Sequence, residues 1–141
     1  MLRLISLACL AVLLASGCSA TDPPQTERLG ELGEELVPTG SELLEVREGS
    51  CPQLVGNPSC ARVFFTSAEP AAERADALED AARAAGWNVV SREPRSDGIL
   101  VEIGREGYRG FAAIWEDERA VGCQKDPDTD CADELQVFED V

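Results

Sequence analysis

The hydrophobic positions of this chain change rhythm several times. From Leu4 to Ser16 they run on without a charge. Leu29, Leu32 and Leu36 then recur at steps of three and four, which places apolar side chains on one side of a helix. That spacing predicts a short helix, capped by Thr26 and running to about Val37. Gly30 and Gly33 fall inside it, and each weakens a helix by about 1 kcal/mol relative to alanine. Pro38-Thr-Gly40 ends it. The clearest helix is predicted over about Pro70 to Ala85, where Ala71, Ala75, Leu78, Ala82 and Ala85 make one stripe. Pro70 suits a first turn and Gly86 the position just past the end.

Elsewhere the pattern is that of strands. Glu42–Val46, Ala61–Thr66, Trp87–Val90 and Tyr108–Trp115 are candidates, and Ile99, Val101 and Ile103 alternate along another. Turns are predicted at Pro94–Gly98 and Gly104–Gly107, and a last pair of strands flanks Cys123–Cys131 and finishes at Leu135–Phe138. The order predicts an α+β domain of two layers. It consists of an antiparallel-rich mixed sheet, one main packed helix and a short N-terminal helix, with the long helix crossing between parallel strands Ala61–Thr66 and Trp87–Val90. Val63, Phe64 and Phe65 are apolar at odd and even positions, as are Phe111, Ile114 and Trp115. Both sheet faces therefore call for cover. The main helix supplies one face, and the N-terminal helix or a partner supplies part of the other.

Charge and composition narrow the function. The 141 residues fit one domain, and their net charge is −15. That field repels phosphate backbones, so no nucleic-acid partner is expected, and it disfavours adhesion to anionic lipid. Histidine is absent, which removes Ser-His-Asp and Cys-His catalysis. No G-x-x-x-x-G-K phosphate loop occurs. Paired carboxylates are trivial to find in so charged a chain and do not by themselves make a glycosidase. The reading is a protein that is not an enzyme and takes no cofactor.

The uncharged run after Met1-Leu-Arg3 is too short for a membrane core that needs about 20 residues, and it fits the apolar region of a secretion signal. It ends in Leu14-Ala-Ser-Gly-Cys18. This resembles the lipobox of small bacterial lipoproteins. The resemblance implies a diacylglyceryl group on the Cys18 thiol, cleavage before Cys18, and acyl chains enough for stable attachment. On that reading residues 1–17 are the signal peptide, 18–25 a polar, proline-bearing tether and 26–141 one small domain. The protein is exported and held by its lipid (palmitate or a similar chain) on the outer face of the cytoplasmic membrane or on the outer membrane. Ala81-Ala-Arg-Ala-Ala-Gly-Trp87 also resembles a helix end found in such lipoproteins, a likeness that implies a fold and no activity.

Removal of the leader takes Cys9 with it and leaves Cys51, Cys60, Cys123 and Cys131 beside the anchor. An exported chain with an even number of cysteines favours disulfides. Three pairings exist. Cys51–Cys60 and Cys123–Cys131 are favoured because each brackets a short loop between antiparallel strands, where cross-linking contributes about 2–3 kcal/mol. Asp126, Asp128 and Asp130 alternate as calcium ligands do, which makes a divalent-cation-responsive module the alternative function. The resemblance to an EF-hand loop is incomplete, because Cys131 takes the place of its glycine and Val137 that of its last glutamate. A solvated acidic turn is the simpler reading. Trp87, Phe111 and Trp115 are candidates for an exposed contact patch toward an envelope protein, although ordinary patterning puts such residues in a core.

Overall fold

A computed structural model describes residues 23–116 and 132–140. It contains two helices and six strands: α1 (Pro23–Glu34), β1 (Glu42–Ser50), β2 (Ser59–Thr66), α2 (Ala71–Ala84), β3 (Asn88–Arg95), β4 (Gly98–Arg105), β5 (Tyr108–Trp115) and β6 (Asp133–Glu139). The predicted α+β class holds. Helix α1 begins three residues before Thr26, because two prolines cost little in a first turn whose amide hydrogens have no partner within the helix. Pro94 and Arg95, predicted as turn residues, belong to β3. Pro94 is tolerated there because β3 has a neighbour on one side only.

All six strands form one sheet in the order β1-β2-β6-β5-β4-β3, and every neighbouring pair is antiparallel. The sheet is therefore not mixed, and the predicted parallel pair is corrected. Strands β2 and β3 run in the same direction, but β6, β5 and β4 lie between them. The C-terminal strand β6 inserts between β2 and β5, aligning Val63 with Leu135 and Leu135 with Ala112. The two edge strands each carry an irregularity, between Leu43 and Glu45 on β1 and between Val89 and Ser91 on β3. Bulges of this kind discourage further strands from adding.

Alternation decides the faces. Val63, Phe65, Val101, Ile103, Ala112, Ile114, Leu135 and Val137 point to one side. There they form a single cluster with Leu29 and Leu32 of α1, Leu36 just beyond it, and Ala75, Leu78 and Ala82 of α2. Both helices thus bury their stripes in the same cluster, α1 beside β1, β2 and β6 and α2 beside β3, β4 and β5. Of the two covers expected for part of the second face, the N-terminal helix or a partner, the helix is corrected: α1 lies on the same face as α2. The glycines of α1 explain its position. A Cβ on Gly33 would lie 2.5 Å from Cγ2 of Val63, and one on Gly30 would lie 2.6 Å from Oε1 of Glu48. They let the helix approach the sheet more closely than alanine would, which offsets their weak helix propensity.

One ion pair is embedded beside this core. Arg74 of α2 is 4% exposed and Asp133 at the start of β6 is fully buried. Nη1 of Arg74 donates to Oδ1 of Asp133 at 2.5 Å, its Nη2 to the Trp115 carbonyl, and its Nε to the Glu69 carbonyl at 2.9 Å. The Trp115 amide donates to the same Asp133 oxygen at 3.1 Å. Helix α2 is thereby fastened to the end of β5 and the beginning of β6. Its outer side is tied to β3 by Arg92, which reaches Asp76 and Glu79. The hydrogen bond to Asp76 raises the guanidinium pKa further.

Candidate functional site

The second face of the sheet receives neither helix. Its residues follow from register: Glu45, Phe64, Glu134, Ala113 and Leu100 form one row across the strands, and Arg47, Arg62, Gln136, Phe111 and Glu102 form the next. The β1–β2–β6 part is roofed by ions. The guanidinium groups of Arg47 and Arg62 lie over the Phe64 ring, 4.8 and 5.2 Å from its centroid. Arg47 pairs with Glu45 at 2.8 Å, and Arg62 with Glu134 at 2.7 Å. Phe64 is consequently buried although no helix covers it.

Along β5 the face is apolar instead. The Phe111 and Phe138 rings stack with centroids 5.7 Å apart, against the Cys51–Cys60 disulfide and Leu54. Two depressions flank Phe111. One, of about 590 Å³, is bounded by Leu54, Val55, Pro58, Phe111 and Phe138, with Arg109, Glu139 and Asp140 at its rim. The other, of about 330 Å³, is bounded by Leu54, Leu100, Phe111, Ala113 and Trp115, with Glu134 and Gln136 at its rim. They share Leu54 and Phe111, so they make one trough along β5 from Arg109 to Trp115. At about 3.3 Å per residue it is about 20 Å long.

The trough wall is held in place by its own bonds. Besides the disulfide, the loop between β1 and β2 is closed by the Cys51 amide bonding the Pro58 carbonyl, the Leu54 amide bonding the Cys51 carbonyl and the Asn57 amide bonding the Leu54 carbonyl. Val55 at its tip is fully exposed. A rigid wall lowers the ordering cost of binding. The rim is charged and its charges are paired. Arg109 meets both Glu102, at 2.5 Å, and Asp140, at 3.9 Å, and Arg62 meets Glu134 at 2.7 Å.

The predicted contact residues separate. Phe111 and Trp115 line the trough, whereas Trp87 is 2% exposed and belongs to the helix-side core beside Tyr108 and Arg105. Trp87 is withdrawn from the patch: it sits just ahead of β3 at the end of α2, where its ring fills the core instead of facing outward. Cys51 and Cys60 form the predicted disulfide. Cys18, Cys123, Cys131, Asp126, Asp128 and Asp130 lie outside the described residues. Among the described residues no group of three or more Cys, Asp or Glu is arranged to hold a metal ion, and no helix is long and apolar enough to cross a membrane.

Sequence reasoning missed Leu54, Leu100, Phe138 and the ion-paired rim. Leu54 sits in a loop with no periodicity, and Phe138 reaches the trough only because β6 inserts beside β5. Comparison with models of protein families, with curated protein sequences and with solved structures finds no match to this chain.

Proposed function

We propose that this protein is an envelope lipoprotein, anchored through Cys18, whose two-layer domain is a non-catalytic binding module. Binding occurs on the sheet face opposite the helices. One observation carries the reading: the apolar trough along β5, bounded by Phe111, Trp115, Leu100 and Leu54 beneath a disulfide-held wall. Half-buried aromatic and aliphatic groups framed by charges are the composition of an interface centre and its rim. The leader supports the address, since Leu14-Ala-Ser-Gly-Cys18 resembles a lipobox and Ser19-Ala-Thr-Asp-Pro-Pro-Gln25 reads as a tether.

Site-specific photocrosslinking in living cells tests the surface. A benzoylphenylalanine at Ala113, inside the trough, is expected to give a discrete adduct. The same probe at Asp80, on the solvent side of α2, is expected to give none. Equal labelling from both positions, or adducts from Asp80 alone, would refute the assignment of the face.

A further inference from the structure

The two ends of the sheet differ in charge. At one end stand Glu42 where β1 starts, Glu69 just past β2, and Asp97 and Glu116, whose backbones are joined by a 3.0 Å hydrogen bond. Arg95, the cation nearby, is paired with Glu93 at 3.5 Å. The other end carries the β1–β2 loop and the β4–β5 turn. Arg105 and Arg109 there nearly balance Glu106, Glu139 and Asp140, and the loop itself has no charge. Gly49 to Ala61 is thirteen uncharged residues, the longest such run after Asp22. Val55, at its tip, is fully exposed, whereas Leu43, Leu44 and Val90 on the edge strands are less so. The tip is also fixed. The Cys51–Cys60 bridge and the loop's backbone bonds hold it, and Gly56 and Asn57 take φ of 84° and 47° to turn the chain behind Val55.

The length of chain ahead of α1 says what meets this tip. Between Cys18 and Pro23, the first residue of α1, lie only residues 19–22. Fully extended, those five steps reach about 17 Å. A lipid on Cys18 therefore holds the domain against the bilayer, with one of its surfaces turned to it. Helix α1 enters from the β1 side: Gly30 rests by Val46 and Glu48 of β1, and Gly33, further along, by Val63 and Val137 of β2 and β6. Its first turn lies toward β1, the strand that leads into the uncharged loop. The headgroup boundary accepts an apolar side chain free of charged neighbours and penalises unpaired carboxylates. Resting on the reading of Cys18 as a lipid anchor, we propose that the tip of the β1–β2 loop is a membrane contact. Val55 enters the headgroup boundary of the bilayer that holds the anchor, and the acidic end of the sheet points away from it. The lipid met is zwitterionic, because a chain of net charge −15 is repelled by anionic headgroups.

Paramagnetic broadening tests the contact. The full chain, isolated from its native membrane with disulfides intact, is placed in phosphatidylcholine nanodiscs with and without nitroxide-labelled lipid, and its amide resonances are compared. The Val55 and Gly56 amides are expected to broaden several-fold more than those of Asp97 and Glu116 at the acidic end. Val55→Asp is expected to abolish that difference while the chain stays on the disc and its melting curve is unchanged, since Val55 touches nothing it stabilises. Intact mass and co-elution with the disc report on the anchor separately. A chain without acyl groups that elutes free of the disc would overturn the anchor reading and the contact with it. An acylated, disc-bound chain in which Val55 broadens no more than Asp97 would overturn the contact alone and leave the anchor standing. Strongest broadening at Leu43 or Val90 would overturn it as well, because an edge strand would then face the bilayer.

Discussion

Replacing Arg74 with methionine removes the guanidinium that meets Asp133 and leaves a carboxylate in a fully buried position. Breaking a buried pair from one side costs about 3–5 kcal/mol, because the remaining charge keeps its desolvation penalty and loses its partner. Here the loss includes the bonds from Arg74 to the Trp115 and Glu69 carbonyls, so the upper half of that range is expected. For a domain of this size, each kcal/mol moves the melting temperature by about 4 °C, which gives a drop of about 16–20 °C. Asp133→Leu is expected to cost a similar amount for the converse reason. The double variant, with methionine against leucine, restores an apolar contact and is expected to be more stable than either single variant, which requires a coupling energy larger than either single loss. Thermal and urea unfolding followed by circular dichroism, on protein with its disulfides intact, measures all four corners of the cycle. Losses below about 1 kcal/mol in both single variants, the range of exposed pairs, would refute the reasoning. Hydrogen exchange gives a local readout, because the Trp115 amide bonds Asp133 and is expected to lose protection in Asp133→Leu.

Other expectations follow from single positions. Gly33→Ala is expected to destabilise by about 1–2 kcal/mol in urea unfolding despite alanine's better helix propensity, because its methyl meets Val63; a gain in stability would contradict the close approach of α1. The Cys51–Cys60 bridge, buried at both sulfurs, is expected to resist dithiothreitol until the protein is unfolded. Cys51→Ser/Cys60→Ser is expected to lose about 2–3 kcal/mol by the same assay, with no loss refuting the role of the bridge. Intact mass of protein from its native membrane is expected to match residues 18–141 plus acyl chains, and an unlipidated mass would refute the anchor. The exposed Glu73 has its pKa raised, first by a hydrogen bond with Glu69 and then by that carboxylate's charge. Its contribution to stability is therefore present at low pH and lost as pH rises through the raised value. Urea midpoints should favour wild type over Glu73→Gln more at acid than at neutral pH, and a pH-independent difference would contradict this.

Local regularity makes much of the fold legible in the sequence. The alanine stripe of α2, the alternation of Ile99, Val101 and Ile103, and the turn at Glu106-Gly107 each depend on neighbours a few residues away. What local patterns do not encode is which strands meet. Strand β6 lies between β2 and β5 because Leu135 and Val137 complete the cluster beneath both helices, a choice made across most of the chain. A strand–helix–strand order predicts parallel pairing of β2 and β3, whereas β6, β5 and β4 lie between them. Gly30 and Gly33 looked like defects of α1 until the sheet beneath them was known. Phe111 and Trp115 were readable as contact candidates by residue type, but their separation from Trp87 is a matter of face. Arg74 and Asp133 gave little signal: an arginine next to an alanine stripe and an aspartate ahead of an apolar strand each look solvent-exposed when taken alone.

Hydroxyl-radical footprinting, on intact cells and on the purified full chain, tests most directly whether this sheet face is occupied in its native setting. Leu54, Phe111 and Trp115 report on the trough, and the exposed Leu43 and Val90 on the two edge strands serve as references. The account predicts that oxidation of the trough residues falls several-fold in cells relative to the purified chain while Leu43 and Val90 change little. Equal oxidation of the trough in both settings would contradict the claim that the protein works through this face.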